Sequence, residues 1–242
     1  MIKVRVPATT ANVGAGFDCM GLAVSLYNYV YMDLSQDLDI ASLDDFKTLT
    51  TESNLIYQSA MHLFNFCNAR HVKSLKIRQR TNIPVKRGLG SSSACIVAGL
   101  VGANAILGYP LKKNEILNMA LKLEGHPDNV APAIFGEFVV CAVDSHKVYF
   151  SKSKVSRKLK FVFFIPTLTM ATHHSRGILK ENLTLTDAVF NISRASFLVS
   201  SLLNGRFFDL KIGVQDKIHQ DFRIKEIKNA DLIFKLAYQE GA

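Results

Sequence analysis

Three consecutive hydroxyls, Ser91, Ser92 and Ser93, follow the closely spaced glycines Gly88 and Gly90, and this pattern suits phosphate. Glycine lets the backbone approach a ligand closely and adopts φ values that other residues avoid. A strand-like run, Leu75 to Thr81, leads into the loop, and a small-residue apolar run, Ala94 to Leu107, leads out as a buried helix. The serines then fall on a first helical turn, where unpaired N–H groups and the helix dipole favour an anion. No lysine follows the second glycine as in a Walker A loop, and no third glycine completes a dinucleotide fingerprint. Gly90-Ser-Ser-Ser-Ala94 also lacks the second glycine of a nucleophile elbow. Taken alone, the segment also reads as a loop closed by a serine N-cap.

Two further stretches crowd polar groups into short, irregular chain. Glu124-Gly-His-Pro-Asp-Asn-Val-Ala-Pro-Ala-Ile-Phe-Gly136 crowds four polar side chains around a glycine and two prolines. A carboxylate at the end of the preceding helix, Glu124, could hold Mg²⁺ whose other ligands are phosphates and a hydroxyl. His126 and Asp128 could equally cap local backbone. Ala8 to Gly21 is read as a loop in which Asn12 and Asp18 accompany two glycines, a composition that presents polar groups from irregular backbone.

Those stretches need a scaffold. At 242 residues the chain can form one large domain or two small ones. Apolar residues at 48% and charged residues at 20% describe a soluble globular protein. The net charge of +9 suits an anionic ligand. The densest basic run (Lys147, Lys152, Lys154, Arg157, Lys158, Lys160) lacks the aromatic and glycine pattern of an RNA-binding sheet, so it reads as a solvated face or linker. No nucleic-acid partner is expected. Cys19, Cys67, Cys95 and Cys141 form no C-x-x-C pair and read as buried free thiols of a reducing compartment. The N-terminus alternates like a strand rather than a signal peptide, and no apolar run reaches membrane-spanning length. A cytoplasmic protein without membrane attachment is expected.

In chain order, Ile2 to Pro7 and Leu22 to Leu34 read as strands, and Asn54 to Ala69 as a helix with apolar residues at helical spacing. Asn114 to Glu124 is a short amphipathic helix and Phe138 to Val143 a strand. Residues 144–158 read as a basic connector, Leu159 to Ile165 as a buried strand, and Thr186 to Leu203 and Ala230 to Gln239 as helices. Alternating strands and helices indicate an α/β or α+β protein.

Three stretches together resemble the homoserine kinase family of the GHMP small-molecule kinase superfamily. They are Pro7 to Leu22, Gly88 to Ala94 and Glu124 to Ile134. The second is common to the superfamily; the first and third, at this spacing, are specific to homoserine kinases. Ser175-Arg176 and Asp216 to Arg223 sit where that family carries similar segments. The resemblance implies an α+β fold with a ribosomal-protein-S5-like N-terminal domain (1–155) that binds ATP and a ferredoxin-like C-terminal domain (156–242). It implies ATP-dependent phosphorylation of L-homoserine to O-phospho-L-homoserine, a step of threonine biosynthesis. Pro84, Val85, Lys86, Arg87, Gly88, Leu89, Gly90, Ser91, Ser92, Ser93 and Ala94 would wrap the triphosphate. Ser92 and Glu124 would meet Mg²⁺. Asn12, Asp18, His126, Asn129, Thr172, Arg176 and Arg223 resemble substrate-binding residues: Asp18 suits the ammonium, the two arginines suit the carboxylate, and Asn129 the hydroxyl. Asn129 and Asp128 are the candidates at the reacting centre. A homodimer is compatible with the family.

The family continues into a third glycine-rich motif of the form Ser-Gly-Ser-Gly-Pro, whereas this sequence stops at Gln239-Glu-Gly-Ala242. The second domain is therefore expected to be incomplete. Other readings follow: a related kinase acting on another small alcohol such as mevalonate, and a non-enzyme, either a truncated, inactive nucleotide-binding module or, on charge alone, a nucleic-acid binder.

Overall fold

The computed structural model describes residues 1–166, 176–180 and 182–241, which form two compact units. The first comprises Met1–Ala11 and Asp18–Lys154; the second comprises Asn12–Phe17 and the chain from Val155 onward.

The first unit is a mixed sheet with helices packed on it. Its strands are β1 (Ile2–Ala11), β2 (Met20–Ser35), β3 (Asp39–Ser42), β4 (Ser74–Arg80), β5 (Phe138–Asp144) and β6 (Lys147–Ser153). The sheet runs β3-β4-β2-β5-β6, and β1 also pairs with β2. The long β2 makes this possible: it pairs with β5 through Met20–Leu22 and with β4 through Tyr29–Ser35. All pairs are antiparallel except β3 with β4. Strict alternation along β2 sends Val30 and Met32 into the core and leaves Tyr29 and Tyr31 half-exposed. The helices are α1 (Leu55–Phe66), α2 (Ser91–Ile106), α3 (Lys113–Glu124) and α4 (Pro127–Phe135). Asn54 caps α1 by accepting from the Ile56 and Tyr57 N–H groups. The α2 sequence is apolar nearly all round, and the helix is buried nearly all round.

Three sequence expectations are corrected here. Strand β1 does not end at Pro7 but continues to Ala11, with a register shift between Pro7 and Ala8. Proline lacks the N–H of a regular ladder and is accommodated at such irregularities. The connector expected over 144–158 instead contains β6, which forms a hairpin with β5. Its two-residue turn is Ser145-His146, both with positive φ. Turns of that kind usually advertise themselves as Asn-Gly or Asp-Gly, so this pair gave no signal. Finally, the polar stretch after Gly125 is helix α4, with Pro127 at its first turn, where proline's missing N–H costs nothing.

Among the described residues the regular elements of the second unit are helical: α5 (Leu185–Leu203), a 3₁₀ turn (Phe207–Asp209), α6 (Leu210–Gly213), α7 (Gln220–Lys225) and α8 (Ala230–Gln239). Ala15, Leu198 and Ala230 are its buried apolar residues among those described, beside buried Asn191, Ser201, Asp216 and His219. The strand expected over Leu159 to Ile165 is not formed: the run is irregular, and Phe161 to Ile165 are exposed. Apolar, β-branched and aromatic content makes a good strand only where a neighbouring strand completes its hydrogen bonds, and no described residue pairs with this run. The buried-thiol expectation holds fully for Cys141 alone; Cys19, Cys67 and Cys95 are half-buried, and all four are free. Among the described residues no helix is long and apolar enough to cross a membrane.

Candidate active site

The phosphate-type loop is pinned at both ends and open in the middle. At its start the Asn28 carboxamide accepts the N–H groups of Asn82 (2.8 Å) and Ile83 (2.9 Å), while Asn82 Nδ2 donates to the Tyr27 carbonyl. At its end Leu89 is buried, and its carbonyl accepts the Thr9 N–H. Pro84 and Arg87 are half-buried, whereas Val85, Lys86 and Gly88 are exposed. Lys86, Gly88 and Gly90 all have positive φ.

Gly90 is the N-cap of α2, in the left-handed conformation, and no side chain caps the turn that follows. The serine N-cap reading is thereby replaced. The N–H groups of Ser91, Ser92 and Ser93 lead the helix uncapped by any side chain, and Ala94 makes the first helical bond, to the Gly90 carbonyl. A Cβ at Gly90 would stand 2.0 Å from Thr9 Oγ1 and 3.0 Å from Asn129 Oδ1, so only glycine lets the loop lie against those side chains.

The serine side chains turn to the end of α3. Ser92 donates to Glu124 Oε2 at 3.0 Å, and Ser93 to Oε1 at 2.8 Å. One carboxylate thus gathers two hydroxyls at a helix N-terminus, an all-oxygen set of the kind hard cations prefer. Among the described residues no cluster of three or more His, Cys, Asp or Glu could hold a metal by itself.

Helix α3 ends on Gly125, and α4 starts two residues later, so Glu124, His126, Asp128 and Asn129 fall within six residues. His126 Nδ1 lies 2.7 Å from Asp128 Oδ1. Asp128 is 1% exposed, and its Oδ2 is buried without a hydrogen-bond partner among the described residues. Asn129 Oδ1 accepts from Thr9 Oγ1 at 2.7 Å, which turns its Nδ2 the other way, 3.5 Å from Asp128 Oδ1. Pro132 leaves the Asp128 carbonyl without its usual helical donor. β2 packs onto that carbonyl at Gly21, where a Cβ would come within 1.7 Å of the oxygen.

Nearby thiols register the carboxylates. Burial, then the charges of Asp128 and Asp18, raise Cys19; burial and the Glu124 charge push Cys95 up to about 11. Burial, with Asp128 and Cys19, pushes Cys141 up to about 12.

In the second unit, residues Asn12 to Phe17 pack with the α6–α7 segment. His219 Nε2 lies 2.8 Å from the Gly14 carbonyl, which can only accept, so this nitrogen carries the proton. The His219 ring stacks on Phe17 with centroids 5.5 Å apart. The guanidinium carbons of Arg176 and Arg223 lie 5.4 Å and 5.3 Å from the centroid of the same Phe17 ring. Asp216 secures the segment: its Oδ2 accepts the N–H groups of Ile218, His219 and Gln220, and its Oδ1 accepts from Asn191.

The predicted residues therefore fall into two groups. The loop 84–94, Asp18, Glu124, His126, Asp128 and Asn129 belong to the first unit, and Asn12, Arg176 and Arg223 to the second. Asn12 and Asp18 both have positive φ. Thr172 lies outside the described residues. Sequence reasoning missed Thr9, Phe17 and His219. All three sit inside stretches already singled out, but a threonine, an aromatic or a histidine in such a stretch carries no spacing signal of its own.

Residues 54–137 match the family model "GHMP kinases N terminal domain". Over 244 residues the chain is 39% identical to a homoserine kinase of Clostridium botulinum, spanning 100% of this chain and 81% of that protein. A homoserine kinase of Clostridium beijerinckii is 40% identical over the same shares. The crystal structure of homoserine kinase from Cytophaga hutchinsonii is similar with a TM-score of 0.84 at 28% identity, covering 100% of this chain and 79% of that one.

Proposed function

Because the chain belongs to the homoserine kinase family, we propose that it transfers the γ-phosphoryl group of ATP to the side-chain hydroxyl of L-homoserine, yielding O-phospho-L-homoserine for threonine biosynthesis. The observation that carries the phosphoryl-transfer reading is the gathering of Ser92 and Ser93 on Glu124 at the uncapped start of α2. Phosphoryl transfer asks mainly for positioning and charge neutralisation, not for covalent help.

In this reading Pro84 to Ala94 wrap the triphosphate, with the N–H groups of Ser91 to Ser93 facing phosphate oxygens and Lys86 and Arg87 adding positive charge. Ser92 and Glu124 hold Mg²⁺, which when bound neutralises charge on the phosphates. Asn129, turned by Thr9, orients the attacking hydroxyl through Nδ2. Asp128 fixes His126 and Asn129 rather than facing solvent, being 1% exposed. Asp18 pairs with the substrate ammonium, and Arg176 and Arg223 take the carboxylate, assisted by Asn12 and Thr172. Arginine meets a carboxylate through a planar fork of donors. The reading places the protein in the cytoplasm; a homodimer would appear as twice the chain mass in sedimentation.

The test is turnover of L-homoserine and of mevalonate under Mg-ATP, with the product identified by phosphorus NMR. O-Phospho-L-homoserine formed in clear preference supports the reading. Preference for mevalonate, or no rise in melting temperature with millimolar Mg-ATP, overturns it.

A further inference from the structure

We propose that the outer face of the first unit's sheet, across β1, β2 and β4, binds single-stranded RNA: bases stack on Tyr27, Tyr29 and Tyr31, and phosphates meet the cations beside them. This function is separate from the kinase reading and does not rest on it. Alternation along the strands puts Val4, Val6, Val30, Met32, Leu75 and Ile77 into the core and sends their neighbours to the other face. The register then assembles a set that is scattered in sequence. Tyr31 lies between Lys3 on β1 and Arg78 on β4, and Tyr29 between Arg5 and Arg80. Three half-exposed rings thus form a row down β2, flanked by cations.

The acids of this face are already engaged. Asp33 pairs with the N-terminal ammonium at 3.1 Å, and Asp39 with Arg78 at 2.7 Å and Lys76 at 3.9 Å. Among the described residues Lys3, Arg5 and Arg80 form no ion pair, although the charge of Asp44 reaches Arg80. Lys3 Nζ instead lies 5.3 Å and 5.5 Å from the Tyr29 and Tyr31 ring centroids, and Arg5 Cζ lies 4.6 Å from that of Tyr27. Such contacts are weak where water reaches them. Both side chains can therefore leave the ring faces to bases and turn their charge to phosphates.

Ring and charge together select the occupant. Successive outward tyrosines stand about 6.7 Å apart, two residues of strand rise, which matches the reach of one nucleotide in an extended single strand. Every base has a π-face, and unpaired strands bind where aromatic side chains lie beside a positive track. A duplex keeps its base faces inside and an acidic peptide has none, so either would leave the tyrosine row unused. A second copy would bring cations against cations. The tyrosine hydroxyls can meet a ribose 2′-OH, the group that distinguishes RNA from DNA. Charge counting along the chain passes over this set because residues 3–5, 27–31 and 76–80 lie on three separate strands.

The test is the fluorescence anisotropy of a labelled oligouridine of about 12 nucleotides, titrated with the full chain. Three phosphate contacts, from Lys3, Arg5 and Arg80, predict a salt slope of about −2, a roughly 20-fold loss of affinity between about 50 and 200 mM salt. Arg5→Gln should reduce that slope by about 0.7. Tyr29→Leu and Tyr31→Leu should each weaken binding about tenfold, as for losing one stacked base. Tyr29→Phe and Tyr31→Phe should keep the stacking and narrow the preference for oligouridine over oligodeoxyuridine. The melting-temperature rise given by Mg-ATP should be the same in every variant. No binding by the wild type at low salt overturns the proposal. Equal affinity for duplex RNA or polyglutamate also overturns it, since charge alone would then explain binding. Equal affinity for oligodeoxyuridine overturns the choice of RNA. Leucine variants that bind like the wild type remove the tyrosines from any such site. If the wild type sediments at twice the chain mass and the leucine variants at the single mass, the face joins two copies and the proposal falls.

Discussion

At the level of single side chains, several polar groups of the candidate site are paired with one that fixes their direction. Asn129 is the clearest case. Its Oδ1 is taken by the fully buried Thr9, leaving Nδ2 the only end of the amide able to serve a substrate hydroxyl. Thr9→Val keeps the shape and removes the donor. An unmet buried acceptor costs ~1–3 kcal/mol, and the amide can relieve it by turning over. We expect kcat to fall on the order of 10- to 100-fold, in the range seen when a positioning group is misplaced, with the KM for ATP unchanged. Steady-state kinetics decides this, and an unaltered kcat would remove Asn129 from the reacting centre. Glu124 makes a second, separable case. Glu124→Gln keeps an acceptor for one serine but loses the charge, so the melting-temperature rise given by Mg-ATP should shrink while that given by ATP with EDTA should not. Both effects depend on partners that are 120 and 31 or 32 positions apart in sequence. Motif could single out Ser92, Glu124 and Asn129, but that Thr9, inside the first stretch, meets Asn129 is legible only in the fold.

At the level of elements, glycines decide how closely loop, strand and helix approach, and they are not interchangeable. Gly88 and Gly90 both have positive φ, yet a Cβ at Gly88 meets nothing within 4 Å, whereas at Gly90 it would collide with Thr9 Oγ1 at 2.0 Å. Gly88→Ala should therefore cost only backbone strain, ~1–2 kcal/mol. Gly90→Ala adds a clash that displaces Thr9 or the start of α2, and should cost at least ~2 kcal/mol more, by analogy with overpacked interiors. Chemical denaturation measures both. Equal losses would mean that the loop end is free to shift. The sequence announced these glycines, the serine helix and α1, because each has a local cause: φ freedom, helical spacing, an Asn cap. It did not announce β6, because Ser145-His146 adopts a turn normally marked by Asn or Gly. Nor did it reveal α4, whose two prolines and polar first turn imitate a loop. The run Leu159 to Ile165 failed in the other direction: it has the composition of a strand, but strand formation depends on a partner that composition cannot supply.

At the level of the whole molecule, the burial is unevenly shared. The continuous hydrophobic core lies in the first unit, from Val4 on β1 to Val148 on β6, whereas the described residues of the second unit bury Ala15, Leu198 and Ala230 beside the polar set Asn191, Ser201, Asp216 and His219. Regions with few buried apolar contacts open at lower free energy. Amides of α5 to α8 should accordingly exchange with deuterium before those of β2 and β4. Acid should widen the gap through Asp216. Burial opposes its charge, but the Gln220 and His219 N–H groups, the Asn191 amide and nearby His219 outweigh this and hold its carboxyl below the usual range. A carboxylate with a depressed folded pKa gives its full stabilisation above the unfolded value of about 3.9 and loses it as pH falls through the lower folded value. Corrected for intrinsic rates, exchange in α6 and α7 should therefore stay level from about pH 7 to 5 and rise below about pH 4, with β2 and β4 lagging. Asp216→Asn sets two donors, its own amide and that of Asn191, against each other. It should destabilise the second unit by ~1–3 kcal/mol already at neutral pH and flatten the acid response. A variant that exchanges like the wild type at pH 7, or an acid response that begins in the sheet, would show that the second unit is not held through Asp216.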